Sequence, residues 1–353
     1  VINDKMLTKK QIKEIREHLD KCQNPVFFFD NDPDGLCSFI ILRKFCEKGK
    51  GVQVKSYPSM NKDYFRKVNE LKADYIFILD KPLVDKDFFD EADKVNIPVV
   101  WIDHHETDKK DVPPAFVNYY NPVFNKPKTN EPVTHLCYQI SRKKDDLWLD
   151  IVGCVSDKFY PEQYEKFKKA FPELSVNSNE PFDIFYKSQI GKIARILGFA
   201  LKDTTTNVVN MMKFLIKAKS PYDILEENSE NNKIHKRFFE IDKRYTKLLD
   251  KAKSIANKSG KVLFFQYSGD LSISSDLSNE LIYNFPGKII LVARIIGSEA
   301  KFSARGKGIR EIVLKAIENI PDSRGGGHEN AVGGQMKAED LEKFRENLER
   351  LVK

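Results

Sequence analysis

The sequence predicts an α/β protein in which a parallel-sheet domain and a smaller α/β domain are joined by a helical region. Three observations predict this organisation. Short apolar runs alternate with longer mixed segments from 25 to about 120, helical periodicity dominates from about 130 to 258, and strand-like runs return after 258. Strands separated by helical stretches indicate a parallel sheet with crossover helices. We therefore predict domains at 1–160 and 259–353, with a helical connecting region at 161–258.

The first domain contains five strand-like runs. They are PVFFF, GVQVKSY, ADYIFILD, IPVVWID and AFVNYY, and the segments around 36–48, 61–72 and 85–95 between them fit helices. Short apolar runs bounded by turn residues are typical of buried parallel strands. In such sheets, ligands lie beyond the carboxyl ends of the strands. The residues that follow each strand are therefore the first candidates for a functional site.

The later part of the chain is helical and then α/β again. Helical periodicity marks EPVTHLCYQISRK, LWLDIVGCVSDKF, FDIFYKSQIGKIARILGFAL and TTNVVNMMKFLIKAK. Residues 233–258 interleave Lys and Arg with Phe238, Phe239 and Tyr245, which fits either a nucleic-acid groove or a solvated helix or hairpin that links two domains. The strand-like runs KVLFFQY, GKIILVARII and EAKFSARG follow, then a helix near 308–319, a loop RGGGHENAVGG and a terminal helix from about 338.

Composition limits the class of protein. The 353 residues, of which 41% are apolar, are enough to form hydrophobic cores. The net charge of +7 is compatible with a polyanionic partner. No apolar run approaches the roughly 18 residues of a membrane span, and the start reads as a polar amphipathic helix, so we expect a cytoplasmic protein with no membrane partner. The five cysteines are odd in number and form no C-x-x-C pair, so the sequence suggests neither a zinc knuckle nor a disulfide framework. We expect most of them to be buried apolar side chains.

The stretch FFFDNDPDG places three aspartates, Asp30, Asp32 and Asp34, at every second position after the first strand. A calcium loop that begins at Asp30 is excluded, because its twelfth position is Ile41 rather than glutamate. An acidic turn and one half of a metal site remain open, since Asp, Asn, Pro and Gly are also common turn residues.

Further candidates follow the other strands. Asp80 follows YIFIL, and Asp103, His104 and His105 follow VVWI. Carboxylates from several loops together with an imidazole could hold two divalent cations about 4 Å apart, with Mn²⁺ preferred because it accepts nitrogen ligands. Asp157, after an apolar helical segment, could complete the second ion's ligands. Such a pair of ions activates water and neutralises charge on a phosphoryl group, which makes a phosphodiester the natural substrate.

The second domain offers groups that suit anions. Glycines such as Gly326 and Gly327 let backbone N–H groups approach a phosphate, and His328 could contact it directly. Arg305 could bind phosphate with its planar fork or stack on a base. A plain glycine-rich turn is the alternative. A dinucleotide-binding Rossmann fold is disfavoured, because no G-x-G-x-x-G follows the first strand.

DHH after a parallel strand and GGGHENAVGG near the carboxyl terminus together resemble a DHH-family phosphoesterase with a DHHA1-type domain, over roughly 25–160 and 260–337. The resemblance implies a metal site and a bridging role for Asp80. It casts His104 as a ligand that Asp103 orients, and places His105 at the scissile phosphate. It also implies that the two domains face each other across a cleft. The implied metal ligands are Asp30, Asp32, Asp34, Asp80, His104 and Asp157.

The chain looks most like the archaeal RecJ-like proteins, which implies an exonuclease on single-stranded DNA or RNA, a role in DNA repair and replication or repair proteins as partners. NanoRNases, or phosphodiesterases for pAp or cyclic dinucleotides, are the alternative within the same superfamily. The family's first motif, H-x-D-x-D-G, begins here with Asp30 instead of histidine. This departure leaves open an enzyme with an altered metal site or a lapsed relative that resembles the scaffold protein Cdc45. The sequence does not predict polarity or oligomeric state.

Overall fold

The structure, a computed structural model, describes residues 6–55, 59–106 and 112–352. The chain divides into two compact units, Val1–Phe238 and Phe239–Lys353. No helix within the described ranges is both long enough and apolar enough to cross a membrane.

The first unit is built on the predicted parallel sheet, which the structure confirms. Its strands run parallel in the order β2-β1-β3-β4-β5. The strands are β1 Pro25–Asp30, β2 Lys50–Val54, β3 Tyr75–Leu79, β4 Val99–Ile102 and β5 Asn118–Tyr120. The helices that precede or connect them are α1 Lys9–Lys21, α2 Pro33–Cys46, α3 Phe65–Leu71 and α4 Lys86–Lys94.

Both faces of β1 are buried by aromatic packing, because successive strand residues point to opposite faces. Phe28 meets Phe88 of α4 edge to face, with ring centroids 5.6 Å apart. On the other face, Phe29 stacks on Phe39 of α2 at 5.3 Å. This packing between two helical layers explains the continuous apolar run of β1 and fixes the strand end at Asp30.

The turn from β1 to α2 brings the helix close to the strand. Asp32 caps the helix by accepting a hydrogen bond from the Gly35 N–H at 2.9 Å, and Pro33 occupies the first helical position. A Cβ atom at Gly35 would lie 2.6 Å from the Asp30 carbonyl oxygen. Glycine is therefore required here, and its small size lets the first turn of α2, which carries Asp34, lie close to the end of β1.

The helical region supplies further helices, the first of which pack against α2 and extend the first unit. They are α5 Val133–Ser141, α6 Leu147–Ser156, α7 Tyr164–Ala170, α8 Pro181–Lys187, α9 Gln189–Ala200, α10 Thr205–Lys217, α11 Tyr222–Leu225 and α12 Asn232–Ala256. The predicted apolar segment FDIFYKSQIGKIARILGFAL is two helices rather than one. Ser188 separates them, because its hydroxyl caps α9 by accepting from the Gly191 N–H at 3.0 Å.

Residues 233–258, predicted as a nucleic-acid groove or as a linking helix or hairpin, lie mainly in the single helix α12. Phe238 and Tyr245 are buried, whereas Phe239 is 56% exposed. The Phe238 ring packs on Phe199, with ring centroids 5.9 Å apart. Two of the three aromatic rings therefore serve packing and cannot stack on bases.

The second unit is a mixed sheet of order β6-β7-β8-β10-β9 with helices between its strands and after them. Strands β6 and β7 pair in parallel, and the other described pairs are antiparallel. The elements are β6 Val262–Ser268, α13 Ser274–Asn284, β7 Ile289–Ile296, β8 Glu299–Arg305, α14 Ile309–Ile317, β9 Arg324–His328, β10 Ala331–Lys337 and α15 Leu341–Leu351. Phe302 and Phe344, at 4.8 Å between ring centroids, lie in its core.

The prediction of a loop over RGGGHENAVGG was wrong, because this segment is the hairpin β9–β10. Only the connection at Glu329 and Asn330, which contains no glycine, is a turn. Gly327 has φ +142°, and a Cβ atom there would lie 2.4 Å from the Ala331 carbonyl oxygen. Close strand pairing therefore requires glycine at this position. Helix α13 was not predicted.

Candidate metal centre

The strand-end residues of the first sheet gather at one edge, as the parallel topology predicts. Asp30 ends β1, Asp80 follows β3, and Asp103 follows β4. Asp157 approaches from the end of α6, where it is the C-terminal cap residue. Two sets of potential ligand atoms each lie within 4.8 Å of one another: Asp34, His104 and Asp157, and Asp80, His104 and His105.

His104 lies at the centre of this arrangement. Its Nε2 atom is 3.4 Å from Asp80 Oδ1 and 3.8 Å from Asp157 Oδ2. Its Nδ1 atom is 3.1 Å from the Asn130 carbonyl oxygen, which can only accept a hydrogen bond. The proton of the neutral ring is therefore placed on Nδ1, and the Nε2 lone pair points toward the carboxylates. This is the orientation that a metal-binding histidine requires.

Asp34 is held by the amino end of α5. The backbone N–H groups of Val133 and Thr134 each donate to its carboxylate at 2.9 Å. Because the two donors contact different oxygens, the carboxylate plane is fixed. Helix α5 thereby orients a side chain that the sequence places almost a hundred residues earlier.

Asp80 is a deeply buried carboxylate that faces His104. It adopts a left-handed backbone conformation with φ +59° and is 3% exposed. Its Oδ1 atom has no hydrogen-bond donor among residues 6–55, 59–106 and 112–352. A buried carboxylate oxygen without a donor costs free energy, and a strained backbone adds to that cost. A cation bound at this oxygen would offset both costs.

Negative charge is concentrated at this edge. Burial, and then the charges of neighbouring carboxylates, raise the pKa of Asp34 and of Asp80 above the usual aspartate range. Burial with Asp30 and Asp34 raises the pKa of Asp32 to about 7. Such mutual repulsion is relieved by a multivalent cation. Oxygen donors with one imidazole suit Mn²⁺ or Mg²⁺, so the residues present fit a divalent metal ion.

Asp103 contacts a different histidine from the one expected. Its Oδ1 atom lies 2.8 Å from His105 Nδ1, and its other oxygen accepts from the Tyr119 hydroxyl at 3.3 Å. The expectation that Asp103 orients His104 is therefore corrected, because the Asn130 carbonyl does so. Burial lowers the pKa of His105, but Asp103 outweighs burial and the net pKa is raised to about 9. Asp103 therefore favours the protonated form of His105.

Asp30 and Asp32 lie at the same strand end but make contacts of another kind. The Lys81 ammonium donates to Asp30 Oδ1 at 2.8 Å, while Asp32 caps α2. Sequence reasoning missed both Lys81 and Asn130. The dipeptide Asp80-Lys81 after a strand is a signal that could have identified Lys81. A backbone carbonyl such as that of Asn130 has no side-chain signature.

In the second unit, the predicted anion-binding residues lie at one edge of the sheet. Arg305 and His328 both pair with Ala331, from opposite sides, so the three side chains share one face. Arg305 is held by α13, since its guanidinium donates to Asn279 at 2.6 Å and to Ser275 at 2.9 Å. Gly326 and Gly327 precede His328 on β9, one of the two edge strands of the sheet.

Comparisons with known proteins agree with this organisation. The profile of the DHH family, N-terminal domain, matches residues 26–155, and that of the DHHA1 domain matches residues 257–353. No curated protein matches the chain. RecJ from Thermus thermophilus in complex with Mn²⁺ is 13% identical with a TM-score of 0.73, over 97% of this chain. This chain covers only 54% of that RecJ, about half of its length.

Two further structures have the same fold. An exonuclease RecJ bound to manganese is 13% identical, with a TM-score of 0.67, over 97% of this chain and 93% of its own. CDC45 from Entamoeba histolytica is 12% identical, with a TM-score of 0.53, over 97% of this chain and 98% of its own. The resemblance stated from the sequence is confirmed: the chain carries a DHH-family domain and a DHHA1 domain, and it has a RecJ-like fold.

Proposed function

We propose that the chain is a divalent-metal-dependent phosphodiesterase that removes nucleotides from an end of single-stranded DNA or RNA. One observation carries the proposal: Asp34, Asp80 and Asp157 converge on the Nε2 side of His104, whose ring is oriented by a backbone carbonyl. Two RecJ structures of the same fold were determined with Mn²⁺ or manganese bound, which supports the same chemistry here.

In this mechanism Asp34, Asp80, His104 and Asp157 would hold the metal ion. A bound ion would lower the pKa of a water molecule and stabilise charge on the phosphoryl group. The α5 N–H groups keep Asp34 in place for this task. Asp103 favours the protonated form of His105, whose imidazolium would hydrogen-bond a phosphoryl oxygen as negative charge develops.

The second unit would bind the substrate. Arg305, preorganised by Ser275 and Asn279, suits a phosphate or a base, and His328 on the same face of the sheet adds a second contact. Arg305 and His328 would contribute to substrate affinity rather than to the chemical step. We therefore expect Arg305→Ala to raise KM with little change in kcat.

The test is degradation of single-stranded DNA and RNA labelled at the 5′ or 3′ end, with Mn²⁺, Mg²⁺ or EDTA. We expect metal-dependent stepwise loss from one end, absent in His104→Ala. His18→Ala is the control, because His18 of α1 contacts Tyr75, which begins β3 at the strand end opposite to Asp80. A rate that falls steeply as oligonucleotides lengthen would instead indicate a nanoRNase or small-nucleotide phosphodiesterase.

A scaffold without turnover is the second candidate. The observation that favours it is Asp30, which occupies the place of the family's leading histidine and is paired with Lys81. Binding of single-stranded DNA without cleavage under any metal would support this candidate and contradict the exonuclease.

A further inference from the structure

The Asp30–Lys81 ion pair is built into the core of the first unit. Lys81 Nζ lies 2.8 Å from Asp30 Oδ1, and the Lys81 side chain is only 1% exposed, against 13% for Asp30. The ammonium also donates to the Lys55 carbonyl at 3.2 Å. The Trp101 indole N–H fixes the Lys81 backbone by donating to its carbonyl at 3.0 Å. The positive charge is therefore held at a defined position.

Lys81 directly follows Asp80 in the chain, and its ammonium pairs with Asp30 at the same strand-end edge. Asp80 Oδ1, which has no donor within the described part of the chain, lies 3.4 Å from His104 Nε2. The two neighbouring side chains point to different partners. The Asp80 carboxylate faces His104, whereas the Lys81 ammonium faces Asp30.

The two halves of the acidic cluster consequently differ. The half around His104 offers ligand atoms from Asp34, Asp80 and Asp157. The half around Asp30 already contains a fixed positive charge, since the ammonium neutralises that carboxylate. Asp32 uses one carboxylate oxygen to cap α2. A second divalent ion would have to compete with a buried, hydrogen-bonded ammonium.

We propose that Lys81 takes the place of one of two divalent cations, so that this chain binds a single tight metal ion on Asp34, Asp80, His104 and Asp157. The ammonium supplies a fixed positive charge behind Asp30 and, being buried, does not itself contact substrate. The inference rests on the proposed function for its catalytic meaning, but the number of bound ions can be measured independently of cleavage.

The test is titration of the full chain with Mn²⁺ alone, followed by electron paramagnetic resonance of the free and bound ion. We expect one tight ion per wild-type chain, without spin coupling. Removal of the pair in Asp30→His/Lys81→Met should create a second site, with at least about tenfold tighter binding of the second ion. Two ions about 4 Å apart would then show a spin-coupled signal.

Matched variants separate this effect from loss of folding. Lys81→Met alone leaves Asp30 without its ammonium and can unfold the protein, so Asp30→Asn/Lys81→Met, which removes both charges, is measured beside it. Lys44→Met is the control, because it breaks another ion pair of the same unit, Lys44–Asp146 at 2.5 Å. It should leave the stoichiometry at one.

The outcomes distinguish the inference from the proposed function. Two tight, spin-coupled ions in the wild-type protein would overturn the inference, whereas the nuclease would stand if cleavage is observed. One tight ion without cleavage of any substrate would support the inference and contradict the nuclease. No tight ion would contradict both. A folded Asp30→His/Lys81→Met variant that still binds a single ion would also overturn the role of Lys81.

Discussion

Two clusters of the first unit combine a buried histidine with one or more carboxylates, and they differ in the distances between their atoms. At His104, Nε2 lies 3.4 Å from Asp80 and 3.8 Å from Asp157. At His135, Nδ1 lies 2.8 Å from Asp150 Oδ1, and the Cys154 thiol donates to the same oxygen at 3.4 Å. Both sets contain residue types that bind metals.

Composition alone therefore does not identify a metal site. An N–O distance of 2.8 Å is a hydrogen bond, so the His135 ring already donates to Asp150. Ligands that share an ion stand farther apart, because each is separated from the metal by about 2.0–2.2 Å at a wide angle. The His104 distances leave room for a shared cation, whereas the His135–Asp150 distance is an internal hydrogen bond, although Asp150 Oδ2 has no donor within the described residues. Variants of the two clusters test this difference.

The largest effect is expected from His104→Ala. It removes the nitrogen on which the carboxylates converge. Loss of an outer-shell partner alone lowers metal affinity about 10–100-fold, so we expect a larger loss of Mn²⁺ affinity here. Isothermal titration calorimetry measures this change, and circular dichroism verifies the fold. If His135→Ala, and not His104→Ala, abolishes Mn²⁺ binding, the comparison is reversed.

His135→Ala should reduce stability instead. It leaves the buried Asp150 carboxylate without its imidazole partner, and breaking a buried pair costs about 3–5 kcal/mol. Denaturant unfolding measures the loss, while the number of Mn²⁺ ions per folded chain should stay unchanged. An equal loss of stability in the wild-type protein on treatment with EDTA would show instead that a metal holds this cluster together.

Stability should also depend on pH through His135. Burial lowers its pKa, but Asp150, followed by the weaker influence of Glu131 and Glu162, raises the net pKa above 6.5. The folded state therefore binds the proton more tightly, and this stabilisation is complete below about pH 6.5 and lost as the pH rises through the folded pKa. We expect the difference in unfolding free energy between wild type and His135→Gln to be larger at pH 6 than at pH 9. A difference that grows with pH would contradict the assignment.

The sequence predicted the sheet and the ligand-bearing strand ends because both follow from local patterns. The aromatic run of β1 and the apolar runs before Asp80 and Asp103 mark strands, and parallel topology brings their ends together. The hairpin β9–β10 was missed because glycine favours turns locally, whereas close strand pairing requires it here.

The contacts of individual side chains were harder to predict. Periodicity does not reveal which of two adjacent histidines Asp103 contacts, because the answer depends on the path of the chain after β4. Periodicity also does not reveal that Lys81 pairs with Asp30, because the two residues lie at the ends of different strands. Long-range contacts of this kind depend on the packed structure rather than on local spacing.

The smallest effect tests Cys154, which the sequence predicted only as a buried apolar side chain. The structure confirms its burial and adds a weak hydrogen bond to Asp150. Cys154→Ala removes that donor and a small volume, so we expect a loss of about 1 kcal/mol in the free energy of unfolding. Denaturant unfolding measures it, and Cys137→Ala, at a buried thiol on α5, is the matched control for lost volume.

The same pair of variants tests whether Cys154 is a metal ligand. If it were, its loss would release an ion, and metal analysis of the two purified variants would reveal the difference. The His135 ring, however, already donates to Asp150 Oδ1, the oxygen that the Cys154 thiol also contacts. Hydrogen bonds therefore occupy Asp150 Oδ1 and His135 Nδ1, whereas Asp150 Oδ2 has no donor within the described residues. We expect both variants to contain the same metal as the wild type.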